Sequence, residues 1–167
     1  DNWEYGNIMV PLPFNFNYMG EQEDTIYIHA AGFIMFDDTQ DPWPYMYDHE
    51  LFLTQNRCIA PFLSRQLVYE ADSGHGIWVD HYTGGVTVRW KARINSSQYG
   101  PAVDFILSLD ENGVISFMYA NAFEPPRLTW ACGISSGDGK DRYMPVIMGK
   151  ALLEANTGIT IRVETPP

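Results

Sequence analysis

The chain has 167 residues, of which 46% are hydrophobic, so it is long enough to bury one sizeable core. Its 21 acidic residues outnumber 10 basic ones and leave a formal charge of −11, which argues against binding to nucleic acid or insertion into anionic membranes. No apolar run approaches the roughly 20 residues that a membrane-spanning helix requires. We therefore expect a single domain at 1–163, followed by a linker or fragment end at 164–167.

Short segments rich in aromatic and β-branched residues alternate along the chain with turns made of Gly, Pro and Asp. One stretch, at 149–156, has helical propensity for about two turns. In chain order, we predict strands at 25–29, 32–36, 57–62, 66–70, 76–82, 86–94, 103–109, 114–119, 129–134, 143–148 and 158–163.

The clearest alternation lies at 86–94, where apolar residues occupy every even position and polar residues every odd one. This pattern predicts a strand with one solvated face. Thr83-Gly84-Gly85 predicts a tight hairpin with 76–82, and Asn112-Gly113 predicts a second hairpin further along. The expected fold is an all-β, antiparallel sandwich of the jelly-roll kind. Its core should take Val86, Val88, Trp90, Phe105, Leu107, Ile115 and Phe117.

The two cysteines, Cys58 and Cys132, both lie in apolar strand segments. Two interpretations are open. The cysteines form a disulfide, which the chain-entropy model values at about 4 kcal/mol for so long a loop; alternatively, they are two buried thiols that act as small hydrophobic side chains.

Six segments occur in an order that carries a family resemblance. They are 12–16 (Leu-Pro-Phe-Asn-Phe), 31–36, 59–62 (Ile-Ala-Pro-Phe), 86–90, 105–109 with the following Asn112-Gly113, and 132–139. Together they resemble the nidogen-like extracellular domain and related bacterial β-sandwich modules, over roughly residues 11–140. The resemblance implies a secreted or cell-surface domain that serves adhesion or assembly, with no catalytic residue to carry over and with other domains of the same chain among its partners.

The chain departs from that family pattern in two places. Leu63-Ser64-Arg65 follows the Ile-Ala-Pro-Phe segment, where similar domains often place a Trp and acidic residues. The long loop at 37–57 does not match the family pattern either. Binding that is specific to this protein is therefore expected in that loop.

Within the loop, 37–50 combines Trp43, Tyr45 and Tyr47 with carboxylates such as Asp48, between prolines that restrict the backbone. Exposed aromatic rings on a stiff loop stack on sugar rings, and carboxylates accept hydrogen bonds from sugar hydroxyls. These four residues are our predicted ligand-binding site. In the alternative interpretation the aromatic rings fold back and cap one end of the core.

Acidic turns offer candidate calcium ligands, because Ca²⁺ prefers oxygen donors on flexible loops. One candidate set is Asp37, Asp38 and Asp41, and a second is Asp138 with Asp141. Neither set has the spacing of a calcium-binding loop of the EF-hand type, and Asp and Gly also form turns without a metal. Calcium is therefore an open prediction, and no other cofactor is expected.

The sequence contains few residue patterns that are typical of enzyme active sites. The four histidines are His29, His49, His75 and His81, and no nucleophile elbow, zinc-protease pair or phosphate-binding glycine loop is present. We predict a non-catalytic extracellular binding or adhesion module whose partner is a glycan or protein at the cell surface. The first alternative is a carbohydrate-binding module that uses residues 37–50, and the second is a jelly-roll glycoside hydrolase with paired carboxylates.

Overall fold

The computed structural model describes residues 6–38, 49–94, 100–120, 130–140, 142–143 and 157–162, which form twelve strands and one short helix. In chain order the elements are β1 (Asn7–Tyr18), β2 (Glu21–His29), β3 (Phe33–Met35), α1 (His49–Gln55), β4 (Arg57–Leu63), β5 (Leu67–Val68), β6 (Gly76–Tyr82), β7 (Gly85–Ile94), β8 (Ala102–Asp110), β9 (Val114–Tyr119), β10 (Ala131–Ser136), β11 (Arg142–Tyr143) and β12 (Thr157–Arg162).

The strands form two antiparallel sheets. The first sheet has the order β1-β2-β3-β4-β10-β11, and the second has the order β12-β9-β8-β7-β5, with β6 also paired to β7. The predicted all-β sandwich is confirmed. Both predicted hairpins are also present, since β6 pairs with β7 and β8 pairs with β9, and Gly84 and Gly113 adopt positive φ in their turns.

The core lies between the two sheets, and the register predicted from the alternation is confirmed. All seven residues expected to face inward are buried. The Trp90 and Phe105 rings stack at 5.3 Å between centroids, and Trp90 Nε1 donates a 2.9 Å hydrogen bond to the carbonyl oxygen of His29, which joins the two sheets. A buried indole that keeps a hydrogen-bond partner contributes its large apolar area without an unsatisfied polar atom.

Two elements were not predicted. Strand β1 is long, with Pro11 and Pro13 at exposed positions between buried ones, and its register with β2 shifts after Pro11. Prolines are tolerated there because β1 is an edge strand, where a missing N–H costs no ladder hydrogen bond. The other is α1, where a predicted loop contains a helix of seven residues. The helix predicted at 149–156, and most of the strand predicted at 143–148, lie outside the described residues.

Helix α1 packs on the outer face of the first sheet. Phe52 and Leu53 are fully buried there. The ring of Phe33 meets that of Phe52 edge-on at 4.9 Å. A second hydrophobic cluster therefore lies on the opposite side of this sheet from the core, and we call the surface beneath it the covered face. The cluster consists of Phe33, Met35, Phe52, Leu53, Cys58, Ala60, Leu63 and Ala131.

Candidate binding face

The outer face of the second sheet, here called the open face, carries residues that are set in rows by the strand register. In one row Trp78 lies opposite Arg89, Arg89 opposite Ile106, and Ile106 opposite Met118. Trp78 is 42% exposed and Met118 is 52% exposed. A row that crosses four adjacent strands therefore has a large exposed apolar side chain at each end.

The neighbouring row on the open face is made of short polar side chains. Asp80 lies opposite Thr87, and the row continues across β8, β9 and β12. Hydroxyl groups both donate and accept hydrogen bonds, so this row offers both functions to a ligand. The members are Asp80, Thr87, Ser108, Ser116 and Thr160.

Tyr82 belongs to the same side of β6 as Trp78 and Asp80, because side chains alternate along a strand. It lies opposite Gly85 and leans across it: a Cβ atom built on Gly85 would lie 2.1 Å from Tyr82 Cζ and 2.2 Å from its hydroxyl oxygen. The tyrosine ring thus fills the space that a side chain at Gly85 would take. Its exposed fraction is 48%.

Trp78 is placed by a second glycine and by an arginine. A Cβ atom on Gly76 would lie 3.2 Å from Trp78 Cη2, and the Arg89 guanidinium carbon is 5.8 Å from the indole centroid. Arg89 is itself held by two hydrogen bonds to Asp104, of 2.8 Å from Nε and 2.6 Å from Nη2. These bonds raise the pKa of Arg89 above its ordinary value. The Trp78 ring is therefore oriented by neighbours that are themselves fixed.

A groove of about 380 Å³ lies at the other end of β6. At its rim, Glu70 pairs with Arg93, which lowers the pKa of the Glu70 carboxyl group. Nδ1 of His75 accepts a 3.2 Å hydrogen bond from the backbone N–H of Glu70. The polar groups at the rim therefore bind one another. The described lining is Ile8, Tyr69, Glu70, Ala71, His75, Gly76 and Ile77.

Comparison with known proteins identifies the family of this chain. Residues 4–146 match the family described as NIDO related, that is, nidogen related, and this range is most of the chain. The chain belongs to the NIDO-related family. No curated protein and no solved structure matches it. The resemblance seen in the sequence is therefore confirmed.

Membership indicates an extracellular module from a family that is in general non-enzymatic. In the part of this NIDO-related domain that the structure describes, no helix is both long and apolar enough to cross a bilayer.

The four residues of the predicted ligand site, Trp43, Tyr45, Tyr47 and Asp48, all lie outside the described residues of the NIDO-related domain. The prediction for this loop therefore stands as a prediction. The described end of the loop is helix α1, which is packed on the covered face. The sequence did not predict the open face, because exposed residues on alternating strands look like an ordinary solvated surface. One signal was available: Gly85 lies across the hairpin from an aromatic residue, Tyr82.

The calcium prediction rests on three aspartates in the same loop. Asp37 and Asp38 are exposed just after β3, and Asp41 lies outside the described residues. Across 6–38, 49–94 and the shorter described ranges, no group of three or more His, Cys, Asp or Glu residues is placed to hold a metal ion. In the second candidate turn, Asp138 Oδ1 accepts hydrogen bonds from the Ser136 hydroxyl and the Lys140 N–H, both at 2.7 Å.

The disulfide prediction is corrected by the structure, in which Cys58 and Cys132 are both buried free thiols. The cysteines lie on neighbouring strands, but the register sets Cys58 opposite Ser135. Cys58 belongs to the cluster on the covered face, whereas Cys132 belongs to the core between the sheets. Burial raises the pKa of the Cys58 thiol well above its usual range and that of Cys132 to about 12. Of the two interpretations, the one with buried thiols is the one observed.

His29 is a buried polar residue whose ring lies against an aromatic side chain. Its ring stacks on Phe33 at 4.4 Å, and its Nε2 atom is buried with no hydrogen-bond partner among the described residues. Burial lowers the pKa of His29 to about 4. His81 lies on the opposite face of β6 from Asp80, because side chains alternate along a strand, and its Nε2 is 3.4 Å from the carbonyl oxygen of Pro11.

Proposed function

We propose that this domain is a non-catalytic extracellular binding or adhesion module that presents the open face to its partner. The observation that carries the proposal is the unequal treatment of the two outer sheet faces. One is covered by α1, while the other exposes Trp78, Tyr82 and Met118 on a single surface. Exposed large hydrophobic residues that cluster on one face mark interaction sites more often than scattered ones do.

The composition of the open face also supports a binding role. Tryptophan, tyrosine, methionine and arginine are the residues most enriched at interfaces, and all four types occur here in Trp78, Tyr82, Met118 and Arg89. A glycan or a protein at the cell surface is the expected partner. The strongly negative chain disfavours nucleic acid.

An array that carries both glycans and purified extracellular proteins tests this function. The whole chain should bind at least one component of the array, and the bound component should be recovered chemically unchanged. Replacing Trp78, Tyr82 and Met118 together by Ala should abolish binding. The matched control is Met9→Ala, which removes an exposed hydrophobic side chain from β1. Binding that survives the triple replacement, or a bound component that is converted to product, would refute the proposal.

The loop at 37–50 and calcium enter the same experiment as a competing site. Two further variants, Trp43→Ala and Tyr45→Ala, test whether the ligand contacts the loop. A parallel measurement with calcium and with a chelator tests whether binding requires calcium. A loss of binding in these variants alone, without an effect of the triple replacement, would favour the carbohydrate-binding alternative that uses the loop.

A further inference from the structure

We propose that Trp78, Asp80 and Tyr82 on β6 form a binding site for a neutral oligosaccharide chain. The inference rests on the proposed binding function and names its ligand class. It places the site on an edge strand of the open face, away from the loop at 37–50.

The first argument is the geometry of the two aromatic residues. Tyr82 lies over Gly85, where a side chain would otherwise stand, and Trp78 lies beside Gly76. Absent side chains at both glycines let the rings rest against the sheet, and each ring remains close to half exposed. Aromatic rings held against a backbone present area at little cost in conformational entropy, and the apolar faces of sugar rings stack on such surfaces.

The second argument is the polar group between the rings. Asp80 is exposed on the same side of β6, two residues from each ring. Across the sheet, Thr87 lies opposite Asp80 and begins the row of hydroxyl-bearing residues. A carboxylate accepts hydrogen bonds from sugar hydroxyls, and the serine and threonine hydroxyls both donate and accept them. The site therefore combines apolar stacking with many short polar contacts.

The same feature argues against an apolar protein partner at these three residues. An apolar protein surface docked over Trp78 and Tyr82 would bury Asp80 between them, and a buried charge without a partner is costly. A sugar chain leaves water beside the carboxylate and supplies hydroxyl donors to it. The formal charge of −11 makes a neutral chain a better ligand than an acidic one.

The distance between the rings determines the size of the ligand. Tyr82 lies four positions after Trp78 along the strand, which corresponds to roughly 13 Å between their Cα atoms. A monosaccharide cannot reach both rings, whereas an oligosaccharide can. Affinity should therefore rise with chain length and level off once both rings are covered.

The test is calorimetric titration of the whole chain with cellohexaose, xylohexaose, mannohexaose and maltohexaose, and with the monosaccharide of each. We expect binding of at least one hexasaccharide and none of its monosaccharide. Trp78→Ala and Tyr82→Ala should each weaken binding about tenfold or more, because each removes a stacking anchor. Asp80→Asn should weaken it less, because the amide oxygen still accepts hydrogen bonds. Met9→Ala is the control and should leave affinity within about twofold, since surface residues outside a hot spot contribute little.

A further variant tests whether binding depends on the position of the Tyr82 ring and not only on its hydrophobicity. Gly85→Ala leaves all three ligand-contacting residues in place but takes the space now filled by the Tyr82 ring. It should lower hexasaccharide affinity by as much as Tyr82→Ala does. Unchanged affinity in Gly85→Ala would overturn the proposed ring geometry.

The outcomes distinguish the ligand class from the general function. If none of the four hexasaccharides binds, while the array shows protein partners that need Trp78 and Tyr82, the oligosaccharide inference is wrong and the binding function stands. If a hexasaccharide binds equally well to Trp78→Ala and Tyr82→Ala, this site is wrong. If neither glycans nor proteins bind the domain, both proposals fail.

Discussion

The two outer sheet faces of this sandwich differ in what lies over them. On the covered face, Phe52 and Leu53 of α1 close a second hydrophobic cluster, and the strand residues beneath are buried. On the open face, Trp78 and Met118 reach solvent. The two sheets also differ in sequence. Strand β4 is a nearly continuous apolar run that is buried on both sides, whereas β7 alternates from Val86 to Ile94. A continuous run indicates that a strand is covered twice, and alternation indicates that one side stays open.

The largest expected effect on stability comes from truncating a side chain of α1 that covers the first sheet. Phe52→Ala should lower the free energy of unfolding by about 3 to 5 kcal/mol, because it empties a fully buried aromatic position. Met118→Ala on the open face should change it by no more than about 0.5 kcal/mol. Chemical denaturation of both variants measures the difference. Equal losses would mean that the two faces contribute alike to stability.

The sequence predicted the second sheet better than the first. Alternation assigned Val86, Val88 and Trp90 to the core because β7 has one solvated side, so its period is visible in the residues. In the first sheet, the pairing of β4 with β10 joins segments about 70 residues apart, and no local pattern encodes that choice. Helix α1 is too short to show a helical period, and its burial depends on the sheet below it.

The candidate site was predicted still less completely. Alternation along a strand sets Asp80 and His81 on opposite sides of β6. It did not reveal that Gly85 makes room for Tyr82, because the two glycines of the hairpin were both interpreted as turn residues. Only Gly84 has a positive φ, whereas Gly85 is needed for its missing side chain. Such a role follows from three-dimensional contacts and not from turn propensity.

The second prediction concerns the pH dependence of stability and a residue at the rim of the covered face, His29. Burial lowers the pKa of His29 from 6.5 to about 4, so the unfolded chain binds a proton in this window more readily than the folded one. The contribution to stability is therefore complete above pH 6.5 and is lost as the pH falls towards 4. Its full size is on the order of 3 kcal/mol. Denaturation curves at closely spaced pH values measure it.

A matched pair of variants assigns that pH dependence. His29→Phe keeps an aromatic ring against Phe33 and removes the titrating group, so the unfolding free energy should fall less steeply between pH 6.5 and 4. Met9→Ala, at an exposed position of β1, removes no titrating group and should leave the slope unchanged. If the slope is the same in His29→Phe as in the unmodified chain, His29 is not its source.

The third prediction compares one thiol in each hydrophobic cluster. Cys58→Ala and Cys132→Ala should each cost about 1 kcal/mol, because each removes one buried sulfur atom from packed surroundings. The costs should be the same with and without a reducing agent. A cost near 4 kcal/mol that disappears on reduction would instead indicate a disulfide. Mass spectrometry of the native and reduced protein gives an independent answer.

The smallest effect is expected for Gly85→Ala, and it sharpens the contrast between a face that is packed and one that is open. The three atoms nearest to the new methyl group all belong to the far end of the exposed Tyr82 side chain, which can swing into solvent. No positive φ is required at Gly85, so alanine fits its backbone, and the free energy of unfolding should change by less than about 0.5 kcal/mol.

Gly32→Ala is the control. Its methyl group would lie 2.1 Å from the carbonyl oxygen of Phe62 at a φ of +83°, and the loss should be on the order of 2 kcal/mol or more. Denaturation curves rank the two variants, and NMR signals of the Tyr82 ring report its movement. A large loss for Gly85→Ala would show that the tyrosine ring is a fixed part of the fold, and the open face would then be packed as firmly as the covered one.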